Sequence, residues 1–172
     1  MRVLVVYETV FGDARAVAHA VAEGLGGEGD EIRVVDVRDG EPSAVDGDLL
    51  VLGCPTHMMS MPTPASRRQA WAQYKGPKPA ERGMREWIGE LPPSSSGRVA
   101  VFDTRMRKPS MLRWGDRAGK TASRMLRLRG LRLMGKPQAF LVQSATGPLV
   151  DGELDRAREW GRGLAATVAR RS

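Results

Sequence analysis

Apolar and polar positions along this chain follow two periods. Arg2–Tyr7 (Arg-Val-Leu-Val-Val-Tyr) and Asp48–Gly53 (Asp-Leu-Leu-Val-Leu-Gly) are nearly continuous apolar runs. Runs of this length predict strands buried on both faces of a parallel sheet. Glu31–Val37 alternates with period two and predicts a strand toward the sheet edge. Arg98–Asp103 and Gln138–Gln143 supply a fourth and a fifth strand. Between them, Ala16, Val17, Ala20 and Val21 fall at helical spacing and predict a helix over Asp13–Leu25, ended by Gly24, Gly26, Gly27 and Gly29. Gly83–Leu91 predicts a short helix stopped by Pro92-Pro93. Further helices are predicted over Leu112–Arg129 and Leu154–Val168, the last capped from Asp151. Residues 54–80, rich in Met, Pro and Lys, read as one long connection, a feature that is usually functional in a compact domain.

Strands alternating with helices imply a doubly wound α/β domain spanning residues 1–172. Ligands of such sheets bind beyond the carboxyl ends of the strands, at the switch point. Three segments should meet there: Thr9–Asp13, Cys54–Pro62 and Asp103–Met106. The first carries the clearest chemistry. A buried strand ends in a hydroxyl (Thr9), a glycine (Gly12) and a helix, so free backbone N–H groups and the helix dipole face whatever lies above the strand. Phosphate is the usual guest of such a turn.

These loops resemble those of the flavodoxin-like family, in the same order over nearly the whole length. Thr9, Val10, Phe11, Gly12, Asp13 and Ala14 occupy the place of the flavodoxin phosphate loop, a hydroxyl residue followed by Gly-Asn-Thr. Gly53-Cys54-Pro55-Thr56-His57 resembles the Gly-x-Pro-Thr loop that faces the flavin ring. Asp103-Thr104-Arg105 falls where a second flavin-facing loop lies. Gly147-Pro148-Leu149, with Asp151-Gly152-Glu153-Leu154 after it, is similar to bacterial flavodoxin-domain proteins. The resemblance implies a five-stranded parallel sheet in the order 2-1-3-4-5. It also implies FMN as cofactor, contacted by Thr9–Ala14, by Pro55, Thr56, His57 and Met58, and by Asp103, Thr104 and Arg105. No metal site is expected.

Two departures from the family pattern bear on function. Asp13 stands where the family has Asn, which brings a carboxylate near a phosphate; two unit charges 4 Å apart repel by about 4 kcal/mol at a surface-like dielectric. Ala14 stands where it has Thr, and losing one charge-assisted hydrogen bond costs about 1.5–3 kcal/mol. Asp13 could instead cap the first helix. The ring-facing loops carry no Tyr or Trp, although Trp114 lies nearby in the chain. An unstacked flavin suits a flavoenzyme better than a dedicated one-electron carrier. His57 could pass a proton or simply be satisfied by backbone. Cys54 could be redox-active or an inert small apolar residue. Met58, Met59 and Met61 could floor a ring or fill a loop.

Composition narrows the setting. Apolar residues make up 41% and charged residues 27% of the chain, ordinary values for a water-soluble globule. Cys54 is the only cysteine, so no intramolecular disulfide forms. The N-terminus enters a strand directly, and no apolar run approaches the roughly 20 residues of a membrane span. A cytoplasmic protein without membrane contact is expected.

Net charge is +7, but Arg105–Lys136 holds eleven basic residues and one acid, Asp116, so the rest of the chain is net acidic. Arg113, Arg117, Lys120, Arg124 and Arg127 recur every three or four residues and form one helical stripe, with Ala118, Ala122, Met125 and Leu126 on the other side. The stripe fits either a solvated face or a docking surface for an acidic redox protein or an anionic substrate. Nucleic acid fits poorly, because no aromatic residue interleaves the stripe. Two functions remain open: an FMN-binding oxidoreductase or electron carrier, and a cofactor-free interaction module that keeps the fold with an altered phosphate loop.

Overall fold

The computed structural model describes residues 1–42, 47–75, 78, 80–92, 97–107 and 118–170. Its elements are β1 (Arg2–Tyr7), α1 (Asp13–Leu25), β2 (Glu31–Asp36), β3 (Leu49–Pro55), α2 (Pro64–Tyr74), α3 (Met84–Glu90), β4 (Arg98–Met106), α4 (Ala118–Leu128), β5 (Arg132–Leu133), β6 (Gln138–Val142) and α5 (Glu153–Ala169). All sheet pairings are parallel, in the order β2-β1-β3-β4-β5, with β6 also paired to β4.

The fifth strand expected from sequence, Gln138–Gln143, is β6, and the short strand β5 comes before it along the same neighbour, β4. The first residues of β4 pair with β5, Arg98 opposite Arg132 and Val99 opposite Leu133. The later ones pair with β6, Phe102 opposite Gln138 through Met106 opposite Val142. The break falls at residues 134–137, where Gly135 has a φ of 104° and Pro137 has no N–H to give to a ladder.

Strand side chains alternate between two cores. Val3, Val5, Leu49, Val51, Ala100 and Phe102 pack against α1 and α5. Val6, Leu50, Leu52, Val99 and Val101 pack against α3 and α4. The α1–α5 crossing is close: a Cβ added at Gly161 would stand 2.3 Å from the Val21 carbonyl, so only glycine permits this backbone approach. On α4, Ala118, Ala122 and Leu126 are buried, while Lys120, Arg124 and Arg127 are exposed along one face. Arg113, Arg117 and Trp114 lie outside the described residues. The helix α5 starts behind Gly152 at φ 81°, without a side-chain cap. The cap expected from Asp151 therefore does not form: the chain enters this helix through a left-handed residue, which favours glycine. No helix among the described residues is long and apolar enough to cross a membrane.

The long connection after β3 contains a helix that its apolar pattern does not reveal. Arg67 is the buried residue of α2. Its start is instead written in hydrogen bonds. Ser66 N–H donates to Thr63 Oγ1 at 3.1 Å, Thr63 N–H donates to Ser66 Oγ at 2.9 Å, and Pro64 occupies the first helical position.

Arg67 fastens α2 to the body. Its guanidinium donates to Glu8 Oε1 at 3.3 Å, Glu86 Oε2 at 3.0 Å, and the carbonyls of Ala80 and Glu81. Glu8 also accepts the Met84 N–H at 2.8 Å. Both Arg67 and Glu8 are buried. Burial pushes the Glu8 carboxyl upward, against the pull of the Met84 N–H and of Arg67. Removing one member of a buried pair strands the other charge. Arg67→Met should therefore destabilise the fold by about 3–5 kcal/mol at neutral pH. Because the folded pKa of Glu8 lies above its unfolded value, the deficit should shrink as pH falls through the raised range, where Glu8 takes up a proton. Urea unfolding of both proteins at neutral and mildly acidic pH checks this, and a deficit that grows on acidification would refute it.

Candidate functional site

The carboxyl ends of β1, β3 and β4 meet at a cleft of about 220 Å³. The phosphate-type turn supplies Thr9, Val10, Phe11, Asp13 and Ala14; the loop after β3 supplies Pro55, Thr56, His57 and Met58; the end of β4 supplies Thr104 and Arg105. Gly12 and Asp103, expected with them, lie elsewhere. Gly12 faces a neighbouring cleft that also includes Arg15, Arg38 and Lys78. Asp103 points to the α4 side of the sheet, where it accepts the Gly119 N–H at 3.1 Å. Asp103 sits further from the carboxyl end of β4 than Thr104 and Arg105, and its carboxylate is engaged by α4.

The first turn is built for backbone donation. Gly12 is the N-cap of α1 with a φ of 101°, and a Cβ there would be strained whatever the space around it. Its N–H donates to Thr9 Oγ1 at 3.0 Å, which folds the loop over the strand end. Asp13 is the first helical residue, so the expected side-chain cap from Asp13 does not form. Its carboxylate instead accepts the Leu149 N–H, beside the cis Gly147-Pro148 bond, and burial raises its pKa. A Cβ on Gly147 would stand 2.7 Å from Asp13 Oδ2. Asp13 thus ties α1 to the loop after β6. The Ala14 side chain is buried in the core, which leaves little room for the hydroxyl that the family carries there.

The second loop offers two polar groups. Thr56 Oγ1 is shielded from solvent and has no partner among the described residues. A hydroxyl left this way costs free energy unless a ligand or water meets it. The His57 ring lies 3.5 Å from Ser66 Oγ through Nδ1, and burial together with the Arg67 charge lowers its pKa. Cys54 is fully buried in the α3–α4 core and its thiol is pushed well above the ordinary range, so the inert reading holds. Met61 is core, whereas Met58 and Met59 are exposed.

Helix α2 brings residues that sequence reasoning missed: Ser66, Gln69, Gln73 and Tyr74 line the cleft. Tyr74 meets Phe11 edge to face at 5.9 Å, so an aromatic ring does stand at the mouth. The signal available in the sequence was Thr63-Pro64-Ala65-Ser66, a helix start inside what read as loop.

Sheet order and cleft position define a doubly wound α/β protein with a cleft at the β1–β3 switch point, where folds of this class bind ligands. The flavodoxin family model matches residues 5–104, and the chain belongs to the flavodoxin family. Its fold is that of solved flavodoxins: an archaeal flavodoxin (TM-score 0.66, 16% identity, 98% of this chain and 99% of that one) and flavodoxin 1 of Bacillus cereus (0.67, 14%, 99% and 98%). The rubredoxin oxygen:oxidoreductase of Desulfovibrio gigas shares it too (0.65, 13%), over 98% of this chain and 36% of the larger protein. A 60-residue stretch is 40% identical to the coenzyme F420H(2) oxidase of Methanothermobacter marburgensis, covering 32% of this chain and 15% of that relative.

The His57 environment gives a direct test. Its folded pKa lies below the unfolded value of about 6.5, so the ring is neutral at pH 7, and the stability it contributes is lost as pH falls below that value. The chain has two histidines, which keeps an NMR titration simple. The His57 midpoint should fall below about 6.5 and rise when Arg67 is replaced by Met. A midpoint at or above the ordinary value in the parent protein would remove burial and Arg67 as its determinants.

Proposed function

We propose that this chain is an FMN-binding redox protein. The observation that carries the reading is the convergence of Thr9, Val10, Phe11, Asp13 and Ala14 with the Thr56 and Thr104 loops on one cleft, with the Thr56 hydroxyl unpartnered in its wall. The residues fit the cofactor. Backbone N–H groups of the α1 first turn, the α1 dipole and Thr9 would hold the phosphate. Pro55–Met58, Thr104 and Arg105 would border the isoalloxazine, with Thr56 Oγ1 free to bond a polar edge and Tyr74 closing one side. Bound there, FMN would supply electron or hydride transfer, while the chain orients it and tunes its potential. His57, neutral and beside Ser66, is placed to hold or accept a proton at Nε2. The exposed face of α4, with Lys120, Arg124 and Arg127, would steer an acidic redox partner or an anionic substrate.

Titration of the purified protein with FMN, followed by flavin fluorescence, tests the reading. Saturable quenching is expected. A colourless preparation that leaves FMN fluorescence unchanged would return the cofactor-free alternative. Within the bound complex, Asp13→Asn should tighten FMN by about tenfold, the equivalent of 1.4 kcal/mol, by removing charge repulsion. Ala14→Thr should give little of that gain, because its site is already packed. Calorimetric titration of the two single variants separates them, and equal affinities for Asp13→Asn and the parent would exclude repulsion by Asp13.

Docking is tested apart from cofactor binding. Lys120→Glu with Arg124→Glu should slow partner association more than it speeds dissociation, since exposed charge acts mainly on encounter. Association rates over a range of salt with an acidic redox protein would show this. Identical rates for the parent and the double variant would make α4 a solvated face.

A further inference from the structure

A second cleft, of about 240 Å³, lies beside the first and shares part of its wall: Thr9 and Val10 line both. It runs from the end of β1 to the end of β2, and Lys78, Ala80 and Arg82 of the chain before α3 complete it.

The two clefts differ in charge. The first is lined by one carboxylate, Asp13, and one guanidinium, Arg105. Five basic side chains line the second, Arg15, Arg38, Arg67, Lys78 and Arg82, against two acids, Glu8 and Asp36. Each acid is already matched. Arg67 meets Glu8 at 3.3 Å, and Arg38 meets Asp36 at 2.8 Å. Arg82 is committed to Glu90, which does not line the cleft, at 2.6 Å. Arg15 and Lys78 remain. Both are exposed, and neither has an ion pair among the described residues.

The backbone between these groups is open. Gly12 lines the same cleft with a φ of 101°, and a Cβ built on it would meet nothing within 4 Å. It precedes the first turn of α1, which has no side-chain cap. The dipole of that helix favours negative charge at this end. Two unmatched cations call for a ligand of two charges, and a carboxylate offers one. A phosphate monoester carries about two at neutral pH. Its oxygens also suit both donors, the planar guanidinium through two of them and the ammonium as a point charge.

We propose that the second cleft is a binding site for a phosphate monoester group, with Arg15 and Lys78 as its charged contacts. It is separate from the position that the α1 turn offers to the FMN phosphate. The site stands without the cofactor reading. With FMN in the first cleft, the shared Thr9–Val10 wall would put a phosphorylated second ligand next to the flavin. The same group can arrive as free phosphate or on an organic ester, and the two are told apart by affinity.

The test is an amide NMR titration of the full chain with inorganic phosphate, AMP and adenosine. Phosphate and AMP should shift the amides of Gly12, Val37 and Arg38, which line the second cleft alone, and leave those of Thr56 and Thr104 in place. Adenosine should shift none of them. Tighter binding of AMP than of phosphate assigns the site to an organic ester, and equal binding assigns it to the free ion. Arg15→Gln with Lys78→Gln should keep the thermal midpoint, because both side chains are exposed. It should weaken phosphate and AMP by at least about tenfold, since it removes two charge-assisted contacts. Arg162→Gln with Arg170→Gln removes as much charge from α5 and should change nothing. The proposal is overturned by absence of saturable shifts, by shifts centred on Thr56 and Thr104, or by parental affinity in the Arg15/Lys78 variant. An equal loss in the α5 variant would overturn it too, by reducing the effect to net charge. Protein saturated with FMN should still respond at Val37 and Arg38; silence there would mean that both anions compete for one position, which also overturns it. Failure of FMN to bind would remove the cofactor reading and leave the phosphate result standing.

Discussion

A single buried guanidinium holds the candidate site together. Helix α2 has no apolar face packed into the core; Arg67 is its buried residue, bonded to Glu8 at the end of β1, to Glu86 of α3, and to two carbonyls of the intervening chain. The arrangement draws the long connection after β3 down over the first strand. It thereby brings Ser66, Gln73 and Tyr74 to the same cleft as Thr9 and Thr56. It also sets the electrostatics of the neighbourhood, because the Arg67 charge helps to keep His57 neutral. A buried pair of this kind is poor evidence for added stability, since desolvation opposes the attraction. What it supplies here is position.

The turn after β1 shows how a family pattern can change without losing its geometry. Gly12 keeps the left-handed conformation that opens α1 toward the cleft, and Thr9 folds the loop back on itself. Asp13 brings a negative charge, but its carboxylate is occupied by the Leu149 N–H and desolvation favours its proton. The charge is therefore held against the loop after β6 while remaining in the cleft wall. Its effect on an anionic ligand is a balance between nearness and this restraint.

Two surfaces flank the cleft, and their chemistry differs. The exposed face of α4 is polar and basic, which suits long-range attraction. The rim formed by the Met58–Met59 tip and Tyr74 is apolar, which suits close contact. Both lie on acid-poor stretches of sequence.

Local pattern alone determined β1, β2, α1 and α5 to within a residue or two, because each carries its own apolar period. It determined the end of the sheet where Thr9, Thr56 and Thr104 meet, because alternating strands and helices allow few topologies. It did not reveal α2, which has no apolar stripe, or the two-residue strand β5, which is defined only by its pairing with the start of β4. It placed Asp103 with Thr104, although the Asp103 carboxylate is engaged by the Gly119 N–H of α4, a contact set only by tertiary packing. The contacts that shape the cleft lie far apart in sequence: Glu8 and Arg67 are 59 residues apart, and Glu8 and Met84 are 76. Asp13 and Leu149 are similarly remote. Such pairs leave no periodic trace, because a buried charge finds its partner only after the chain has collapsed. Whether His57 is neutral, whether Asp13 caps a helix, and which methionines face outward were decided by tertiary packing.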